Sequence, residues 1–175
     1  MITVNFYNAE SYKHVNRIRR MGIWFISLWS GYVHVDIQHG DWIYAADMAA
    51  GKLIKVPASS WTRPAARIDI PIPDGTAKRV LDQTMQRRIG YGWLDFILYP
   101  FRRWIVCDAK GTICSESTAE ILVSMAHALP YSQRGPWVWP LDKLEGVEHL
   151  MSPEDLWRAL MVPGFHVRPN VDAKA

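Results

Sequence analysis

The stretch that decides the fold is residues 32–47, which read YVHVDIQHGDWIYAAD. Apolar and polar residues alternate over most of residues 32–38, a pattern typical of a strand with one buried face. Gly40 and Asp41 suit a two-residue turn of type II′, in which glycine takes the first central position. Residues 42–47 form a second extended run, so the sequence predicts an antiparallel hairpin.

The turn also predicts which residues face one another across the hairpin. If His39 pairs with Trp42, the same register places His34 opposite Asp47. Directly opposed residues share a face with Cβ atoms about 5 Å apart, so an imidazole nitrogen of His34 can bond the Asp47 carboxylate. A turn shifted by one residue would break this pairing. The predicted apolar face carries Val35, Ile37, Tyr44 and Ala46, and the polar face carries His34, Asp36, Gln38 and Asp47.

Further strands and helices are predicted on either side of the hairpin. Strands are expected at residues 2–7, 52–56 and 67–72, and a basic helix is expected after Asn8 up to about Arg20. A helix capped by Thr76 should end at Gly90, and another should run from Cys114 to Leu129. Ser152 is expected to cap a last helix, because a proline and two acidic residues follow it.

Composition places the chain among ordinary globular domains. It has 175 residues, 49% of them hydrophobic and 21% charged, which fits one domain spanning residues 1–175. The net charge of +3 gives no support to nucleic-acid binding. We expect no transmembrane segment and no secretory signal, because the longest apolar stretch is interrupted by polar residues and is shorter than about 20 residues.

The residue best suited to nucleophilic chemistry is Cys114. It follows a glycine-containing turn at the predicted start of a helix, where free backbone N–H groups favour a thiolate and can hold an oxyanion. We therefore expect a lowered pKa for Cys114 and a sulfur within hydrogen-bond reach of His34. Cys107, on an apolar strand, is interpreted as a core residue. A zinc site is disfavoured because no close pair of ligands is present, and neither a metal nor a cofactor is expected.

Several motifs together resemble a known family. Residues 34–37, 42–47 and 51–56 resemble the histidine strand and following strands of the circularly permuted NlpC/P60 papain-like hydrolases. These include the YiiX-like proteins and a poxvirus branch, and they are related to lecithin retinol acyltransferase. Residues 89–95 (IGYGWLD) resemble the family's glycine-tyrosine segment, residues 112–116 (TICSE) its Cys-Ser-Glu motif, and residues 152–156 (SPEDL) its late helix start. The resemblance spans roughly residues 31–165.

The resemblance implies an α+β papain-like (NlpC/P60) fold, circularly permuted, with an antiparallel sheet packed against helices that include the nucleophile helix. It implies Cys114 as nucleophile, His34 as base and Asp47 as orienting residue. Residues expected to contact substrate are Tyr91, Trp93 and Asp36. The sequence departs from the family at Gly92, where an aspartate often follows the motif tyrosine, and at Asp36, where a small residue is common.

The implied activity is hydrolysis of an amide bond through a thioester, with a peptide, including a peptidoglycan peptide, as substrate. Similar small proteins occur in phages, so virion or tail proteins are candidate partners and a cytoplasmic or virion-associated location is expected. Lipid acyl transfer would use the same catalytic residues with an apolar groove supplied by residues 137–139 or by Trp93. A non-enzymatic virion or scaffold component is the third hypothesis.

Overall fold

The computed structural model describes residues 1–13, 23–24, 27, 30–47, 50–87, 90–91, 111–135, 138–147, 151–161 and 165–169. Several predictions concern other residues and lie outside the described part of the chain. They are the basic helix up to about Arg20, the core position of Cys107 and the substrate contact of Trp93.

In the described part of the chain, one mixed sheet of eight strands forms the centre of the fold. The strands are β1 (Ile2–Tyr7), β2 (His34–His39), β3 (Trp42–Asp47), β4 (Lys52–Pro57), β5 (Ala66–Ile70), β6 (Gly90–Tyr91), β7 (Gly111–Thr112) and β8 (His166–Pro169). Their order in the sheet is β7-β6-β4-β3-β2-β1-β5-β8. Neighbouring strands are antiparallel except β6 and β7, which are parallel.

Four α-helices accompany the sheet in the described part of the chain: α1 (Asp74–Gln86), α2 (Cys114–His127), α3 (Trp139–Asp142) and α4 (Pro153–Leu160). With the sheet, they make the protein an α+β fold. Short 3-10 turns occupy Ala9–Tyr12, Ala58–Ser60 and Tyr131–Gln133. The predicted helix start at Cys114 is confirmed, as is the cap at Ser152, whose side chain accepts a hydrogen bond from the Asp155 backbone.

The boundaries predicted for α1 are wrong at both ends. The helix begins at Asp74 after Pro73, so Thr76 is a buried helical residue rather than the cap. An acidic residue in the first turn is favourable because it faces the positive end of the helix dipole. The helix ends at Gln86, and Gly90 instead pairs with Lys52 in the sheet.

The hairpin has the predicted register next to the turn, but the predicted pair of His34 with Asp47 is not formed. His39 pairs with Trp42, and the ladder continues to the pair of Ile37 with Tyr44. Gly40 has a φ of 56°, a left-handed conformation that favours glycine. Beyond Ile37 the β2–β3 ladder ends, while β2 continues to pair with β1 as far as His34 opposite Tyr7. At the end that holds His34, β2 and β3 are therefore not paired, and this unpaired stretch is called the opening between β2 and β3 below.

The two faces of the sheet differ in character. One face belongs to the main hydrophobic core beneath the helices, and its residues in β2 and β3 are the predicted apolar set, Val35, Ile37, Tyr44 and Ala46. Helix α2 packs on this face against β2 and β3. Strand alternation places Asn5, Tyr7, His34 and Asp36 on the opposite face.

The start of α2 lies beside β2, although the strand that precedes it, β7, is far from β2 in the order of the sheet. Strands β7 and β2 are four positions apart, which in a flat sheet would be about 19 Å. Cys114 follows the end of β7 by two residues, which span at most about 7 Å. Its thiol nevertheless interacts with the backbone of Val35 in β2. Helix α2 packs across the sheet against β2, which places its start beside this strand.

Candidate active site

Cys114 is the first residue of α2 and is buried, with 6% of its surface exposed. The helix start is held by Glu116, whose carboxylate accepts a hydrogen bond of 2.9 Å from the Ile113 backbone N–H. The next residue, Ser115, donates from its hydroxyl to the Met151 carbonyl at 2.6 Å. These bonds fix the first turn of α2, so the position of the thiol is set by the helix rather than by a loose loop.

The surroundings of Cys114 have opposing effects on the pKa of its thiol. Burial raises the pKa of the thiol to about 11, while backbone groups of Val35, Ser115 and Cys114 itself act to lower it. The negative charge of Asp36 adds to the increase. The expectation of a lowered pKa is therefore wrong for this structure. A helix start stabilises a thiolate, but here the loss of hydration on burial is the larger effect.

His34 begins β2, and its side chain lies within an aromatic cluster. Ring centroids of Tyr7, Trp61 and Tyr12 lie 5.4, 6.4 and 6.5 Å from that of His34, and 15% of the His34 side chain is exposed. Burial lowers the pKa of His34 to about 4, so the ring is neutral at pH 7. Its Nε2 atom is buried without a hydrogen-bond partner.

Asp36 is the buried acid of this cluster, and its carboxylate is 0% exposed. It accepts hydrogen bonds of 2.8 Å from Asn5 Nδ2 and 2.8 Å from Trp61 Nε1. Burial nevertheless raises the pKa of Asp36 to about 7. This position corrects the prediction of a substrate contact, because the carboxylate faces other side chains and is closed off from solvent.

The predicted orienting residue, Asp47, ends β3. Its negative charge acts to raise the pKa of His34, against the larger effect of burial. One of its oxygens accepts a hydrogen bond of 3.3 Å from the Ala50 backbone. Asp36 also approaches the histidine, with Oδ2 lying 3.8 Å from His34 Nε2. Asp47 alone was predicted from the sequence as the partner of His34, and the structure places a second carboxylate, that of Asp36, beside the ring.

Cys114 and His34, the predicted nucleophile and base, lie on opposite sides of strand β2. The Cys114 thiol interacts with the backbone of Val35 from the helix side, and His34 precedes Val35 in the chain with its ring on the other side. No hydrogen bond joins the thiol to the ring within the described residues, so the predicted contact between the Cys114 sulfur and His34 is not formed in this structure. The contact point coincides with the end of the β2–β3 ladder, where the sheet is open.

The remaining predicted residues are only partly described. Tyr91 lies in β6 and pairs with Thr112 of β7, two residues before Cys114, which places its backbone near the start of α2. Val138, in the proposed acyl groove, is buried in the hydrophobic core instead of lining a surface. Sequence reasoning missed Asn5 and Trp61. Asn5 lies directly opposite Asp36, so the β1–β2 pairing would have revealed it, whereas Trp61 follows a short 3-10 turn and carries no such signal.

The described residues contain no group of histidine, cysteine and acidic side chains that could hold a metal ion. Within the same residues, no helix has the length and apolar character needed to cross a membrane. Comparison with protein-family models, with curated proteins and with solved structures found no match of any of the three kinds.

Proposed function

We propose that the protein is a cysteine hydrolase in which Cys114 is the nucleophile and His34 the general base. The observation that carries the proposal is the position of the thiol. It opens α2 and lies against the backbone of Val35, the residue after His34, where the sheet is open between β2 and β3. A thiol at a helix start, with a neutral histidine as its base, is an arrangement that supports acyl transfer.

The chemistry is acyl transfer through a thioester. As the Cys114 sulfur attacks the carbonyl carbon of an amide, its proton passes to His34, and the carbonyl oxygen becomes an oxyanion that backbone N–H groups at the start of α2 can stabilise. The intermediate collapses when the carbon–nitrogen bond breaks and the leaving amine takes the proton from His34. Water then hydrolyses the thioester, with His34 again accepting a proton, and the free thiol is restored.

The thiol of Cys114 and the ring of His34 are both uncharged at rest. With the pKa of the thiol raised to about 11 and that of His34 lowered to about 4, a preformed thiolate–imidazolium pair is disfavoured at pH 7. Proton transfer therefore accompanies attack. The thiol must also turn from the Val35 backbone toward the ring through the opening between β2 and β3. Contacts of this kind are often loose in unliganded sites and tighten when substrate binds.

The substrate class is part of the proposal. Peptide amides, including those of peptidoglycan, follow from the family resemblance, and so does a place in a phage virion. Lipid acyl transfer receives less support, because Val138 of the suggested acyl groove packs into the core. A papain-like, circularly permuted topology is proposed on the same resemblance.

The experiment is acylation of the purified protein by p-nitrophenyl acetate, followed by intact mass spectrometry and peptide mapping. We expect a single acetyl group on Cys114 that turns over slowly. The label should be absent in Cys114→Ser and strongly reduced in His34→Gln. Cys107→Ser is the matched control and should keep the label. Peptide and lipid substrates then separate hydrolase from acyltransferase.

A non-enzymatic scaffold is the second candidate, and one observation favours it. Cys114 packs within the main hydrophobic core, and burial raises its pKa, as for an inert core cysteine. Equal labelling of the wild type and of His34→Gln, or labelling only at Cys107, would contradict the hydrolase proposal and leave this candidate.

A further inference from the structure

We propose that Asp36, held by Asn5 and Trp61, is the residue that positions His34, keeping the proton of the ring on Nε2 and leaving Nδ1 to accept the proton of Cys114. This inference rests on the proposed hydrolase function. It assigns to a buried residue of β2 the role that the sequence analysis gave to Asp47.

Geometry is the first support. Asp36 Oδ2 lies 3.8 Å from His34 Nε2, which is too long for a hydrogen bond but close enough for one to form with a small shift. The Nε2 atom is buried and has no other hydrogen-bond partner. A buried polar atom without a partner is unfavourable, and the Asp36 carboxylate is the nearby group that can accept a hydrogen bond from Nε2.

The fixed position of Asp36 is the second support. Its two oxygens accept hydrogen bonds from Asn5 in β1 and from Trp61 after β4, both of 2.8 Å. The carboxylate is therefore held from two different parts of the chain. A carboxylate fixed in this way can hold a ring in one orientation, whereas a mobile one cannot.

The chemical consequence concerns the tautomer of the neutral ring. A carboxylate facing Nε2 favours the form with the proton on Nε2, because a carboxylate accepts hydrogen bonds and cannot donate them. Nδ1 then carries the lone pair that takes the thiol proton, and the imidazolium formed during attack is stabilised by the same carboxylate. Asp36 does not touch the substrate, so it acts through His34 alone.

The test is nitrogen NMR of the His34 ring in protein labelled with ¹⁵N-histidine, with the signal assigned by its loss in His34→Gln. We expect the wild type at pH 8 to show the proton on Nε2. Asp36→Asn should lose this preference and acylate with p-nitrophenyl acetate about 10- to 10⁴-fold more slowly, the upper end being the precedent of the serine triad. Asp47→Asn is the matched control and should keep the tautomer.

A second measurement needs no substitution and remains informative if Asp36→Asn fails to fold. Lowering the pH of the wild type from 8 to 5.5 protonates Asp36 while His34 stays neutral. The protonated acid donates to Nε2, so the ring proton should move to Nδ1. Other titratable groups facing the pair are Tyr7, Arg67, Asp47 and Cys114. Burial keeps the pKa of Tyr7 and that of Cys114 above this pH range, and Asp47→Asn controls for the second carboxylate.

The outcomes separate this inference from the proposed function. If the tautomer is the same in the wild type at both pH values and in Asp36→Asn, or if only Asp47→Asn changes it, Asp36 does not position the ring. If the tautomer behaves as expected but no variant or substrate gives acylation of Cys114, the positioning holds and the hydrolase function fails.

Discussion

Asp36 and His34 make the stability of the protein depend on pH in opposite directions. Replacing either residue should therefore reveal the pH dependence that the other one causes. Burial raises the pKa of Asp36 from 3.8 to about 7 and lowers that of His34 from 6.5 to about 4. Neither change in pKa is caused by the other residue, because desolvation is the main cause of both. The two variants that isolate the effects are Asp36→Asn and His34→Gln.

The signs follow from proton binding. Native Asp36 holds its proton more tightly than the unfolded chain does, so its contribution to stability is lost as the pH rises from about 4 to about 7. Native His34 binds its proton more weakly, so its contribution appears as the pH rises from about 4 to 6.5. These pKa changes correspond to contributions to the free energy of unfolding of about 4 kcal/mol for Asp36 and about 3 kcal/mol for His34. In the wild type they nearly cancel.

The assay is urea unfolding monitored by tryptophan fluorescence at several pH values between 4.5 and 7.5. Relative to the wild type, Asp36→Asn should gain stability with rising pH, and His34→Gln should lose it, each by a few kcal/mol across the range. Using differences from the wild type removes the titration of all the exposed acids. If both variants run parallel to the wild type, the two groups are hydrated in solution and the buried cluster is not formed as described.

Three further predictions test separate parts of the structure. Because burial raises the pKa of Cys114 to about 11, alkylation of this thiol by iodoacetamide at pH 7 should be slower than that of free glutathione and should accelerate up to about pH 11; faster reaction at pH 7 would contradict its burial. Gly40→Ala should destabilise the protein by roughly 1 to 2 kcal/mol in urea unfolding, because φ is 56° there, whereas Gly75→Ala, in open space in the first turn of α1, should be neutral or stabilise by up to about 1 kcal/mol. Ser152→Ala should cost about 1 kcal/mol by removing the hydrogen bond from the Asp155 backbone, and an unchanged urea midpoint would show that α4 does not need this cap.

The hairpin was predictable because each of its features is local. Alternation identifies the strands, and Gly40 with Asp41 fixes the turn, so the register of His39 with Trp42 follows without knowledge of the rest of the chain. The starts of α2 and α4 were predictable for the same reason. The end of α1 was not, because the strand pairing of Gly90 with Lys52 is a long-range contact that no local pattern reveals.

The site was only partly predictable because its electrostatics depend on burial. From the sequence, a helix start indicates a lowered pKa for Cys114, and nothing in the motif shows that the thiol enters the core. Likewise, the register of the hairpin favours Asp47 as the partner of His34. The place of Asp36 in the site depends on β1 and on the residues after β4, because Asn5 and Trp61 donate the hydrogen bonds that hold its carboxylate. Both come from outside the hairpin.

The opening between β2 and β3 links these findings. The ladder stops at Ile37 and Tyr44, although the register would allow it to continue to His34 and Asp47. If it continued, the backbone of Val35 would be paired with β3, and the Cys114 thiol could not interact with it. In the proposed mechanism, the thiol can therefore pass its proton to His34 only because β2 and β3 are unpaired here. For this reason the separation, more than any single side chain, is the structural condition for the proposed chemistry.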